Sequence, residues 1–143
     1  MSSVGMHNLQ TCSDKLLAKH PELTGRIRNE DGGRWSVTLP RHNIEVSVKL
    51  LGNMMDATVR NLPGEHCLLT HTPLVGVRGL MLIKQDNPKV IKGNRTWEAA
   101  LYMSGELVVA GDWSELENGD RVFLAELVTG ELEKLVDALM NAT

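Results

Sequence analysis

His66-Cys67 followed by His71 is the densest group of chemistry-bearing side chains in the sequence: two imidazoles and a thiol within six residues, all able to ligate a soft metal. A zinc site takes four ligands in a tetrahedron, and no second pair at conventional spacing stands elsewhere, so no metal is expected. The five histidines, at 7, 20, 42, 66 and 71, lack a serine or cysteine beside them in any hydrolase signature. Neither a G-x-S-x-G elbow nor a nucleophile–base pair can therefore be named. Gly76 and Gly79 form G-x-x-G, but a phosphate-cradling loop needs more glycine, a Lys-Ser/Thr ending or a helix after a parallel strand. Asn94-Arg95-Thr96 and Asn141-Ala142-Thr143 fit the N-glycosylation pattern, which has no meaning without a secretory route. The expectation is a protein that is not an enzyme and carries no cofactor.

The totals set the frame in which any site must sit. A chain of 143 residues, 42% hydrophobic, is long enough to bury a core as one domain over residues 1–143. A net charge of -3 and a pI near 5.9 provide little of the lysine and arginine excess that phosphate neutralisation requires, so nucleic acid is not an expected partner. Cys12 and Cys67 stand alone, as reduced thiols do. Met1 to His20 has no basic run ahead of a long apolar core, and no eighteen-residue apolar stretch occurs, so a soluble cytoplasmic protein is expected.

Three runs then alternate apolar and polar residues with turn material between them: Trp35, Val37 and Leu39; Ile44, Val46, Val48 and Leu50; Met55, Ala57 and Val59. A period of two places one row of side chains on each face of a pleated sheet, which predicts an antiparallel meander with one buried and one wetter face. Ahead of it, Leu9, Cys12, Leu16 and Leu17 recur at three and four, predicting an amphipathic helix over His7 to His20 closed by Pro21. Glu22 to Gly33 is polar and reads as a connection. Cys67 to Lys84 satisfies neither period; Val75 to Gln85 reads as a helix with a buried strand as the rival, and Asp86 to Arg95 as a loop.

Trp97, Ala99, Leu101 and Met103, a Ser104-Gly105 turn, and Leu107, Val109, Gly111 and Trp113 predict a second hairpin. Trp35, Trp97 and Trp113 all fall in phase with buried positions, with a partner-facing patch as the alternative. Ser114-Glu115-Leu116-Glu117 has the spacing of a capping box, and apolar residues from Phe123 to Met140 at threes and fours predict a closing helix over Asp120 to Asn141, with Gly130 a point for a bend or break. Between Asp112 and Asp137 eight acidic residues stand against two basic ones, which fits either a solvated helix face or a hold on a basic partner.

The resulting fold class is α+β: a five-stranded antiparallel sheet with helices on one face, in the order α-β-β-β-α-β-β-α. That order resembles the class I chaperones of bacterial type III secretion, most closely in "WSVTLPRHNIEVSVKL" leading to "MDATVRNLP" and in "ALYMSGELVVAGDWSELENGDRVFLAELVTGELEKLVDAL". The resemblance implies a cytoplasmic homodimer that binds the N-terminal segment of a secreted effector and keeps it export-competent without catalysis. It further implies apolar anchors in grooves between the first helix and the meander, involving Leu16, Leu17, Val37, Leu39 and Val46, and a dimer interface at Val77, Leu80 and Met81. The alternative is a small β-barrel module of the PilZ type that binds a cyclic dinucleotide. Asp112-Trp113-Ser114 gives the D-x-S part of that motif, but Glu117 stands where its glycine belongs and no Arg-x-x-x-Arg precedes it.

Overall fold

The computed structural model describes residues 3–30, 32–40, 44–52, 54–61, 79–128 and 130–142. Among them, α1 (Ser3–Lys19) and a single 3₁₀ turn at Pro21–Leu23 lead into β1 (Ile27–Glu30), β2 (Arg34–Leu39), β3 (Ile44–Leu51) and β4 (Met54–Asn61). Then follow β5 (Leu80–Lys84), β6 (Lys89–Ile91), β7 (Asn94–Met103), β8 (Glu106–Glu115), β9 (Arg121–Leu127) and α2 (Glu131–Asn141). The strands form one antiparallel sheet of nine, in the order β1-β2-β3-β4-β9-β8-β7-β5, with β6 also paired to β7. The five-stranded α-β-β-β-α-β-β-α arrangement is thereby corrected: the described residues hold nine strands and two helices.

The strands beyond the expected five differ from the alternating pattern for physical reasons. β1 and β6 lie where connections were expected; they are short and exposed, so they carry no apolar alternation to announce them. β5 occupies part of the expected Val75–Gln85 helix, with Leu80 and Leu82 facing the core, so the strand alternative holds over these residues. β9 occupies the first third of the expected closing helix. Phe123, Ala125 and Leu127 are buried in alternation, while the exposed Leu124 and Val128 fill the gaps and imitate a helical spacing. Gly130, with φ 91°, takes a left-handed conformation that an L side chain resists, and α2 begins only after it. Ser114 lies within β8, so the expected capping box caps no helix.

One face of the sheet is apolar from side to side. Trp35, Val48, Ala57, Ala125, Gly111, Ala99 and their neighbours fall in register across β2, β3, β4, β9, β8 and β7. Leu9 and Leu16 of α1 and Leu132, Leu135, Val136 and Leu139 of α2 join the same buried cluster, so both helices cover this face. A register shift beside Leu101 leaves Val108 as an extra residue in β8, and the bulge lets both Val108 and Val109 be buried. The two sharp reversals at Lys92-Gly93 and Ser104-Gly105 have positive φ at both residues, the geometry whose twist matches a tight antiparallel hairpin.

Polar anchors set the helices on the sheet. The buried Ser13 hydroxyl donates to the Leu9 carbonyl at 3.0 Å and accepts from Trp35 Nε1 at 2.8 Å. His20 Nε2 lies 2.6 Å from Asp137 Oδ1, and Lys19 lies 3.7 Å from Glu133 and 3.6 Å from Asp137, so the end of α1 is tied to α2. Among the described residues no helix is long and apolar enough to cross a membrane.

Candidate functional site

Among the described residues both helices lie on one face of the sheet, and strand register dictates what stands on the other. Asp56 of β4 is directly opposite Glu126 of β9, and Glu98 of β7 is directly opposite Asp112 of β8. Leu124 is opposite both Thr58 and Asp112, which puts an apolar side chain, 38% exposed, between the two acidic pairs. Like charges opposed across a ladder destabilise the sheet. None of these four carboxylates has an ion-pair partner within 4.0 Å among the described residues. The fold thus holds two pairs of opposed carboxylates on one surface, with Lys49 directly opposite Asp56 on its other side.

The same residues line a trough of about 860 Å³ that runs over β4, β9, β8, β7 and β5. Its depth follows from side-chain size. Ala100 and Ala110 oppose one another with only a methyl each, and Ile83 continues their row onto β5 with half its surface exposed. Gly111 lies beneath. A Cβ there would sit 2.2 Å from the Leu124 carbonyl oxygen, so only glycine lets β8 approach β9 this closely.

Beyond β4 cations enter the surface. A second hollow of about 460 Å³, sharing Asp56 and Thr58 with the first, is lined by Arg28, Arg34 and Lys49 on β1, β2 and β3, by Glu30 and Glu45, and by Ser36 and Ser47. Arg34 is directly opposite Lys49, and Arg28 is opposite Ser36. These three exposed cations also have no ion pair among the described residues, whereas nearby Arg60 holds Glu45 at 2.9 Å. Glu30, opposite Arg34, is the acidic residue at the outer edge of this half.

The residues singled out in the sequence lie elsewhere. Leu16, Val37, Leu39 and Val46 have no exposed surface, and Leu17 packs half-buried against the same cluster. The first helix closes onto the meander at these residues, which makes them core, the other reading open to each of them. Leu80 is buried, Met81 is about half exposed at the β5 edge, and Val77 lies outside the described residues. His66, Cys67, His71 and Gly76 lie outside them too. Trp97 and Trp113 are buried with ring centroids 4.8 Å apart, and Lys84 Nζ sits 4.3 Å from each ring centre. Within Asp112-Trp113-Ser114, Ser114 shares the face of Asp112 but is buried 3.0 Å from the Thr96 hydroxyl, so of the three only Asp112 lines the trough.

The acidic C-terminal third divides between two roles. Glu133 and Asp137 pair with α1, and Glu115 with Arg95, while Asp112 and Glu126 face the trough. Among the described residues no three His, Cys, Asp or Glu side chains stand close enough to hold a metal ion. The arrangement offers the trough's occupant negative charge, one exposed leucine and a shallow floor, features suited to lysine or arginine side chains and an apolar neighbour. Comparison with protein-family models, curated proteins and solved structures found no match to this chain.

Proposed function

We propose that this protein binds a polypeptide without chemical turnover, seating a cationic segment of a client in the acidic trough of its open sheet face. The observation that carries the reading is the pair of opposed carboxylates on either side of Leu124, Asp56 with Glu126 and Glu98 with Asp112. A bound lysine or arginine relieves repulsion that the fold otherwise bears, and an apolar residue beside it covers Leu124. The client class we propose is the N-terminal segment of a type III secreted effector, held export-competent in the bacterial cytoplasm. The strand order of the sheet differs from the layout behind that resemblance, so the reading leans on the open face instead.

Binding of this kind is electrostatically steered and weakens as salt screens exposed charge. The test is fluorescence anisotropy with a labelled peptide of alternating lysine and leucine. The double variant Asp112→Lys with Glu126→Lys should weaken binding at least tenfold, and raising the salt from 50 to 500 mM should do the same to the parent protein. Affinity unchanged by the charge reversal contradicts the proposal.

A further inference from the structure

We infer that the client segment is bipartite, with a basic block for the trough and an acidic block for the cationic half of the same face; this rests on the polypeptide-binding reading above. Register places Glu98, Asp112, Glu126 and Asp56 on four consecutive strands, β7, β8, β9 and β4, and Lys49, Arg34 and Arg28 on the next three, β3, β2 and β1. The sign reverses between Asp56 and Lys49, which are themselves directly opposite, and Glu30, opposite Arg34, closes the basic block at the β1 edge. A uniformly basic segment would satisfy the first block and be repelled by the second. A segment that changes sign where the surface does is attracted along its whole length.

The spacing of the blocks sets the client's reach. The centre of the acidic block and the centre of the basic block are separated by three and a half strand spacings, about 17 Å. An extended polypeptide covers that in about five residues. Shape also separates this occupant from a second copy of the chain, whose complementary halves could meet the same charges. Two hollows of about 860 and 460 Å³ facing their counterparts would leave space between the copies, whereas a single segment can lie along both.

The experiment compares three labelled peptides by anisotropy at 100 mM salt: four lysines and four aspartates joined by a single leucine, the four lysines and leucine alone, and a scrambled order of the first. The joined peptide should bind at least tenfold tighter than either of the others. Arg28→Glu with Arg34→Glu should bring it down to the lysine peptide's affinity and leave the lysine peptide no weaker; far-UV dichroism reports whether that variant keeps the sheet, and Arg34→Lys should retain parent affinity. If the joined peptide binds no tighter than the lysine peptide or the scrambled one, the bipartite client is overturned while polypeptide binding stands. If none of the three binds, both fall. A parent protein of twice the chain mass that the two arginine reversals return to one chain mass would assign the complementary halves to a second copy and likewise overturn the inference.

Discussion

Cys12 shows how a reactive residue type is silenced by position. It lies on α1 facing α2, and burial, reinforced by Glu133 and opposed by Lys15, pushes its thiol from the ordinary 9.0 up to about 12. The folded thiol therefore keeps its proton at pH values where the unfolded chain releases it. A pKa raised by folding contributes stability that is complete below the unfolded value and is lost as pH rises from about 9 towards about 12. The urea midpoint of the parent protein should accordingly fall more steeply between pH 8 and 10.5 than that of Cys12→Ala, and equal slopes would contradict the burial argument. Ser13, one residue on, shows the opposite use of a small polar group. Its hydroxyl is buried because it has both a donor in Trp35 and an acceptor in Leu9, and such a group is costly only when left unmade.

At the scale of elements, what could be read from the sequence follows how each segment is buried. β2, β3, β4, β7 and β8 each carry a buried row and a wetter row, and alternation announces such strands. β1 and β6 sit at the margins of the sheet with no buried row, so nothing in their composition distinguishes them from loops. β9 misleads because Leu124 and Val128 are apolar yet exposed, a departure from patterning that the open face accounts for in Leu124. The site was less legible than the fold. Asp56 and Glu126 are seventy residues apart in sequence and become neighbours only through a strand order that no local pattern encodes. Leu16 makes the contrast testable. As a core residue with no exposed surface, Leu16→Glu should unfold the protein, with loss of its far-UV sheet signal, because a buried carboxylate without a partner costs several kcal/mol. A folded variant that merely loses binding would return Leu16 to a groove.

For the whole molecule, the two faces of the sheet carry opposite assignments. One is consumed by α1 and α2 and supplies the core; the other holds the opposed carboxylates, the cations Arg28, Arg34 and Lys49, and the exposed leucine. Charge repulsion kept on a surface is a stability cost without structural return, so the open face is where selection for binding would be visible. The net charge of -3 does not reveal this, since it averages an acidic and a basic half. The most direct measurement is a backbone amide chemical-shift map of isotope-labelled protein titrated with the lysine–leucine peptide. The account predicts shifts concentrated at Thr58, Glu98, Ala110, Asp112, Leu124 and Glu126 with α1 and α2 unmoved. Shifts confined to the helices, or to the contacts between α1 and β2, would contradict it.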